Sequence, residues 1–191
     1  MKKYKVVIVI SILVALVVLY YYHISTNDRT EKKENDTQNS ENAKIFNKNL
    51  DTGYPATPRE VVEFYSEILS YLYSGEASED EIEELGMKCR KLFDEELLAE
   101  NPEAEYIKNL KSEIKQYKEE HKHISSYILE KSGDVEFKTF QSHFYAFVDC
   151  AYYVKGESST SRTIETYTLR KDSEGKWKIL YWKLTPIEEE E

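Results

Sequence analysis

The residues best suited to acid–base chemistry lie on one long predicted strand, His143–Lys155. Asp149 stands mid-strand, and His143 shares its face because side chains alternate along a strand and both numbers are odd. With Tyr145, these groups could act as a base and hydrogen-bond donors in an enzyme. The alternative is that the odd-numbered face points to solvent while the more uniformly apolar even-numbered face fills the core. The pattern favours this alternative, and therefore a protein that is not an enzyme.

Two histidines, His121 and His123, precede this strand and could begin a metal site. A zinc site needs further ligands such as a carboxylate, and the sequence places none beside them. The sequence also lacks a Gly-rich phosphate loop, a Ser-centred nucleophile motif and the Cys/His spacing of zinc sites. We therefore expect no metal site and no cofactor.

Cys89 and Cys150 are the only thiols. One falls on the apolar stripe of a predicted helix and the other on an apolar strand face, so the two could meet in the core. A disulfide would close a loop of about 60 residues and stabilise the fold by roughly 4 kcal/mol in the chain-entropy model, if the domain lies outside the cell. Two separate buried thiols fit the same pattern at least as well.

Aromatic residues are abundant, with 16 Tyr in the chain. Tyr on an exposed sheet face favours protein contacts at low entropic cost. We therefore predict a surface for a protein partner or a second copy of the chain on the sheet. Its residues are Tyr145, Phe147, Tyr153, Tyr167 and Tyr181. Ordinary β-propensity and closure of the sheet explain the same aromatics without an interface.

The elements that must position these residues begin with a helix inside Tyr54–Gly75. Thr57 and Glu60 have the spacing of a capping box, Pro58 suits the first helical turn, and Gly75 can end the helix in a left-handed conformation. Apolar side chains recur between them at helical spacing, so this helix should bury a broad face.

Further helices and then strands follow. Ser78 begins a second helix, with Leu97 and Leu98 as a bent or frayed extension, and Asn101–Pro102 begins a third. From His123 the apolar period changes from 3.6 to 2. The predicted strands are Ile124–Lys131, Val135–Phe140, His143–Lys155, Arg162–Lys171 and Lys176–Leu184. Short turns should pair neighbouring strands as an antiparallel meander, which makes the fold class α+β, with three helices on one face of a curved, cone-like sheet.

An apolar segment at residues 6–22 predicts a single transmembrane signal-anchor. Its length corresponds to roughly 26 Å of helix, slightly less than the roughly 30 Å hydrocarbon core of a bilayer. Lysines precede the segment and tyrosines end it, so residues 1–5 should stay in the cytoplasm and the rest should lie outside the cell membrane. A cleaved signal peptide is the alternative, but no small-residue cleavage site follows the apolar run.

The remaining boundaries follow from composition. Residues 23–53 are polar and predict a disordered linker, residues 54–187 form the α+β domain, and residues 188–191 are an acidic tail. The net charge of -10 argues against nucleic-acid binding, which requires clustered Lys and Arg.

Two stretches carry a resemblance to known proteins. They are Thr-Pro-Arg-Glu-Val-Val-Glu-Phe-Tyr at residues 57–65 and Leu-Arg-Lys-Asp-Ser-Glu-Gly-Lys-Trp-Lys-Ile at residues 169–179. Over about Thr57–Leu184 the chain resembles the nuclear-transport-factor-2-like cone fold, also called SnoaL-like or ketosteroid-isomerase-like. In Tyr54–Val62 and Ile124–Tyr127 it also resembles a group of small membrane-anchored bacterial proteins of unknown function.

The resemblance implies a pocket between the first helix and the inner sheet face. Enzymes that share this fold use a buried Asp or His as base and a Tyr or protonated acid to hold an oxyanion. The superfamily also includes scaffolds and binding modules, so the fold alone implies no particular activity.

We expect a membrane-anchored, extracytoplasmic binding or scaffold domain without enzymatic activity. The alternative is a small-ligand sensor, or an enzyme of isomerase or hydrolase type, that uses the pocket with Asp149, His143 and Tyr145. A cavity lined by these polar groups would favour the alternative, and a cavity filled by Phe and Tyr would favour the scaffold.

Overall fold

The computed structural model of the protein describes residues 42–185. The chain divides between Lys44 and Ile45, and the folded unit begins at Ile45. The predicted transmembrane segment at residues 6–22, the cytoplasmic residues 1–5 and the acidic tail at 188–191 lie outside the described residues. Within residues 42–185, no helix is both long enough and apolar enough to span a bilayer.

Five helical segments precede the sheet. They are α1, helical over residues 42–47 of the described part, α2 (Pro58–Leu72), α3 (Glu79–Arg90), α4 (Glu95–Glu100) and α5 (Glu103–Glu119). The predicted capping box of Thr57 and Glu60 is present at the start of α2, and Ser78 and Glu81 form the same reciprocal bonds at the start of α3. Gly75 has φ +86°, the left-handed conformation expected after α2.

Helix α4 corrects one prediction. Leu97 and Leu98 do not extend the preceding helix, because Asp94 starts a new one: its Oδ1 accepts a hydrogen bond from the Glu96 amide at 3.0 Å. Four helices, rather than three, therefore follow Tyr54 in the described residues.

Five antiparallel strands form one sheet, as the α+β prediction requires. They are β1 (His123–Leu129), β2 (Glu136–Phe140), β3 (His143–Lys155), β4 (Thr160–Lys171) and β5 (Trp177–Thr185). The order is β1-β3-β4-β5, and β2 also pairs with β3.

The predicted meander is wrong at its first step. Strands β1 and β2 do not pair with each other; both pair with β3, Leu129 lying opposite Cys150 and Glu136 opposite Phe147. Strand β4 occupies the other side of β3. Since β3 has 13 residues, it is long enough for two short strands to lie end to end along one edge.

The even-numbered face of β3 faces the core, which confirms the apolar-pattern interpretation. Ala146, Val148 and Cys150 are 0% exposed, and Tyr152 is 3% exposed. Helix α2 packs on this inner face, against β1, β3 and β5.

The predicted linker extends too far into the sequence. Ile45 and Leu50 fall within residues 23–53, yet they are 2% and 4% exposed and belong to the hydrophobic core. The Lys88 ammonium, on α3, holds this segment by donating to the backbone oxygens of Ile45 and Phe46 at 2.8 and 2.6 Å. Two apolar residues are enough to attach this segment to the domain, because both side chains are buried in the hydrophobic core.

The segment that joins α3 to α4 attaches to the edge of β5. The Asp94 amide donates to the Ile179 carbonyl, and the Ile179 amide donates to the Leu92 carbonyl, both at 2.8 Å. The buried Asp94 carboxylate also accepts two hydrogen bonds from Arg170 on β4, at 2.5 and 3.1 Å. These bonds tie the helical layer to the sheet.

Candidate functional site

A cavity of about 340 Å³ lies between α2, α5 and the inner face of the sheet. It is lined by residues of two helices, four strands and Asn101. The lining residues are Tyr65, Leu69, Tyr73, Asn101, Tyr106, Asn109, Leu110, Glu113, Tyr117, Ile124, Tyr152, Val154, Thr163, Glu165 and Trp182. This volume falls at the small end of the roughly 300–1,000 Å³ typical of ligand pockets.

Helix α5 forms one wall because a glycine allows it to approach α3. A Cβ atom at Gly86 would lie 2.7 Å from Ile107 Cδ1 and 3.0 Å from Leu110 Cδ2, so a larger residue would require these side-chain ends to shift. The close contact places Glu113 and Tyr117 of α5 over the cavity.

Six of the fifteen residues that line the cavity are aromatic. Tyr73 and Tyr117 meet edge to face with ring centroids 4.8 Å apart. Tyr65 contacts Trp182 at 5.9 Å, and Phe93 contacts both Tyr106 and Trp182, at 5.6 and 6.1 Å. Rings packed at these distances hold one another in place, so the cavity has firm walls.

A chain of buried hydroxyl groups ends at a carboxylate in the cavity wall. Tyr167 Oη donates to Glu165 Oε2 at 2.6 Å, Tyr152 Oη lies 2.9 Å from Tyr167 Oη, and Ser66 Oγ lies 2.7 Å from Tyr152 Oη. Because an ionised carboxylate only accepts, and each hydroxyl donates once, the donors all point from Ser66 toward Glu165. The chain fixes the position of the Glu165 carboxylate.

The two carboxylates of the cavity influence each other and their neighbours. Burial raises the pKa of Glu165, the hydrogen bond from Tyr167 lowers it, and the negative charge of Glu113 raises it again. Burial also raises the pKa of Tyr73, and the charge of Glu113 and a hydrogen bond to it add to that effect. The Glu165 carboxyl group therefore lies in a partly desolvated position, whereas Glu113, which also lines the cavity, is exposed.

This arrangement is suited to binding a small molecule. The polar groups of the wall offer carboxylate and amide oxygens and tyrosine hydroxyls, while the rings provide a large apolar surface. Among the described residues, no group of three or more His, Cys, Asp or Glu side chains could hold a metal ion.

The structure separates Asp149 from the other two predicted acid–base residues, His143 and Tyr145, whose ring centroids lie 6.4 Å apart. His143 is exposed at the start of β3, where its ring nitrogen lies 3.0 Å from the Gln141 carbonyl. Asp149 lies six residues further along the strand, roughly 20 Å away. Its side chain lies on the outer face, where it accepts a hydrogen bond from Thr166 Oγ1 at 2.6 Å. Neither residue, nor Tyr145, lines the cavity.

The two cysteines lie apart as buried free thiols, the second of the two arrangements left open by the sequence. Burial raises the pKa of Cys89, which is hydrogen-bonded to Tyr106, and that of Cys150, whose Sγ lies 3.6 Å from Ser66 Oγ. His121 is a surface residue whose Nε2 lies 3.6 Å from a Glu157 carboxylate oxygen.

Four of the five residues predicted to form an interface on the sheet lie at the surface, and the fifth is buried. Tyr145, Phe147 and Tyr153 lie on the outer face and are partly exposed, and Tyr181 is 47% exposed. Tyr167 is 0% exposed, because its odd number on β4 places it opposite Val148 on the inner face. Tyr167 therefore cannot form part of an interface.

Two signals for the cavity were present in the sequence. Glu113 falls on the apolar stripe of α5, between Leu110 and Tyr117, and Glu165 shares a strand face with Tyr167. A carboxylate on a face that packs into the core is costly unless it has a partner or a function. That cost singles out Glu165, which is partly buried, whereas Glu113 is exposed and is marked only by its position between two apolar residues.

A family model described as Domain of unknown function (DUF6715) matches residues 1–182 of the chain. The matched range includes the predicted membrane segment and every residue that lines the cavity. No curated protein matches the sequence.

Proposed function

Since the chain belongs to the DUF6715 family, whose description names no activity, we propose a function from the cavity: a membrane-anchored domain that binds a small ligand. The observation that carries this proposal is the open space of about 340 Å³ between α2, α5 and the sheet. A scaffold that used only its surface would have no need of such a space.

The polar groups in the wall support ligand binding. Glu165 is held by Tyr167 at 2.6 Å and Glu113 interacts with Tyr73, so both carboxylates are positioned before any ligand enters. Preorganised polar groups increase affinity because less ordering occurs on binding.

The proposed role is binding rather than catalysis. Two carboxylates and several tyrosines could in principle transfer protons, so an enzyme remains the alternative function. Chemical change of a bound ligand during incubation with the protein, followed by mass spectrometry, would favour the enzyme. Recovery of the ligand unchanged would favour binding.

We also propose that the fold is of the nuclear-transport-factor-2-like cone type and that residues 6–22 anchor the domain on the outer side of a bacterial membrane. The helix-covered, antiparallel sheet with a pocket beneath α2 supports the first part. Limited protease treatment of intact spheroplasts tests the second: the domain should be cleaved from outside. Cleavage only after lysis, or a mature N-terminus beyond residue 22, would contradict the anchor.

A cavity-filling substitution tests the ligand-binding function. Thr163 lies on β4 and lines the cavity, and aromatic residues are well tolerated in strands. In the full chain in maltoside micelles, we expect T163W to abolish the binding of fragments that ligand-observed NMR detects with the wild-type protein. S161W is the matched control, because Ser161 is an exposed residue of the same strand that does not line the cavity. Equal fragment binding by wild type and T163W would contradict the proposal.

The hairpin β2–β3 supports a second candidate function, contact with a protein partner. Phe137, Phe140 and Phe144 are 58%, 63% and 57% exposed, so three large apolar rings lie at the surface of one hairpin. Exposed apolar clusters often mark interaction sites. Sedimentation of the full chain in micelles would show self-association through this hairpin, and F140S/F144S should abolish it. A wild-type protein that stays monomeric at high concentration would exclude the homodimer.

A further inference from the structure

We propose that the ligand of the cavity is a small organic ammonium cation. This inference rests on the proposed ligand-binding function and adds the chemical class of the ligand. It follows from the charges of the lining residues, the nature of the walls and the positions of the nearby cationic side chains.

The charged lining residues all carry the same sign. Glu113 projects from α5 and Glu165 from β4, so two carboxylates approach the cavity from two different elements. Of the described residues that line the cavity, none is Lys, Arg or His. An anionic ligand would meet repulsion from both walls, whereas a cation would be attracted by both carboxylates and would offset the cost of keeping Glu165 ionised in a partly desolvated position.

The walls match the same kind of ligand. Five tyrosines and one tryptophan line the cavity. The faces of aromatic rings attract cations, and aromatic cages are a general solution for binding ammonium groups. Tyr73 and Tyr117, in edge-to-face contact at 4.8 Å, bring two of these rings next to Glu113.

The cations closest in the structure to these rings are engaged outside the cavity. The Arg90 guanidinium lies 5.6 Å from the Tyr106 ring centroid and donates to the Asn101 carbonyl at 2.6 Å. The Lys122 ammonium, whose charge acts on Tyr117, pairs with Glu120 at 2.6 Å. Neither lines the cavity, so neither neutralises its carboxylates directly.

One carboxylate oxygen is left for a ligand. Tyr167 donates to Glu165 Oε2, and within the described residues no hydrogen bond to Oε1 is found. A primary or secondary ammonium could donate to Oε1, and a quaternary ammonium would use the rings and the charge alone.

Three molecules of the same shape test the charge of the ligand. They are choline, its neutral carbon isostere dimethylbutanol, and the anion dimethylbutanoate. By isothermal titration calorimetry on the full chain in maltoside micelles, we expect choline to bind about tenfold more tightly than dimethylbutanol, and dimethylbutanoate to bind most weakly. Absence of choline binding, or tighter binding of the neutral or anionic molecule, would overturn the cation assignment.

This result is independent of the fragment test above. If choline fails to bind but T163W still abolishes fragment binding, the ligand-binding function is supported and only the cation assignment is overturned. Choline binding that T163W leaves unchanged would place the cation elsewhere and overturn the assignment.

Carboxylate substitutions locate the effect. We expect E165Q and E113Q each to weaken choline binding about tenfold, equivalent to about 1.4 kcal/mol, and to leave dimethylbutanol binding within about twofold. E119Q is the control, because Glu119 is, like Glu113, an exposed glutamate of α5 but does not line the cavity. An equal loss with E119Q, or no loss with either cavity variant, would overturn the proposal.

The pH dependence gives a further readout. Glu165 faces Tyr167 and Tyr152 on the sheet and is influenced by Glu113 on α5, and its pKa is raised by burial. Choline does not titrate, so its binding should weaken as the pH falls through the pKa of Glu165, and E165Q should flatten this decline. A decline that is equally steep in E165Q would show that Glu165 is not the group that recognises the charge.

Discussion

Two adjacent stripes of α2 show how one helix can serve two purposes. Phe64, Ile68 and Leu72 recur every four residues and are at most 2% exposed in a closed core. The next stripe, Tyr65, Leu69 and Tyr73, has the same spacing and lines the cavity. Both stripes are apolar in the sequence. The difference lies in what each stripe faces. Neighbouring side chains fill the space beside the first stripe, whereas α5 and the sheet leave the cavity open beside the second.

The largest expected effect is a difference in stability between substitutions of two neighbouring residues, one from each stripe. I68A should lower the free energy of unfolding by about 2–5 kcal/mol, because truncating a fully buried side chain leaves a cavity in a closed core. L69A should cost only about 1 kcal/mol, since Leu69 is partly exposed and borders an existing space. Urea denaturation of the full chain, followed by tryptophan fluorescence, measures both. Equal losses would mean that the open stripe is closed in solution.

A smaller effect separates the two faces of β3. Y152F removes a hydroxyl that lies 2.7 Å from Ser66 Oγ and 2.9 Å from Tyr167 Oη, and should cost about 1 kcal/mol of stability. Y153F is the matched control one residue along, on the outer face, and should change stability by less than about 0.5 kcal/mol. If both variants unfold at the same urea concentration as wild type, the hydroxyl chain does not stabilise the inner face.

The smallest expected effect concerns the stability that the folded protein loses because Glu165 is ionised in a partly buried position. The pKa of Glu165 is raised in the folded protein, so burial of its ionised form opposes folding at neutral pH. E165Q should therefore have a slightly higher Tm than wild type at pH 7, and the difference should shrink as the pH falls toward the ordinary carboxyl pKa of 4.5, where wild-type Glu165 becomes protonated in both states. A difference that grows on acidification would contradict this account.

Local patterns were sufficient to predict most of the elements. The capping boxes at Thr57 and Ser78 mark where two helices begin, and the period-2 run of β3 predicts its limits, His143 and Lys155, as observed. These features depend on residues close in sequence. The α+β class follows from the same local patterns.

Pairing and packing over long distances were not predictable in the same way. No pattern of residues close in sequence predicts that β1 and β2 share one edge of β3. That arrangement depends on the length of β3 and on which residues of each strand pair with it. Ile45 and Leu50 look like isolated apolar residues in a polar segment until the core that receives them is known.

The place of the cavity agrees with the pocket implied by the resemblance, but its polar residues differ from those predicted. Asp149 lies mid-strand, yet its odd number places it on the outer face, and its distance of six residues from His143 excludes a direct dyad. The cavity instead joins side chains of α2, α5 and four strands, which only the tertiary fold brings together. Glu165 could have been identified as a carboxylate on the inward-facing side of β4, which it shares with Tyr167.

The backbone bonds between the α3–α4 connection and Ile179 also affect how the edge of the sheet behaves when molecules are crowded together. An edge strand with free amide and carbonyl groups can recruit a strand from another molecule and begin aggregation. Leu92 and Asp94 already occupy the groups of Ile179, near the start of β5. Further along the same strand, Lys183 places a charge that resists such pairing. The sheet is thus protected from polymerising at this edge while the domain remains close to its neighbours.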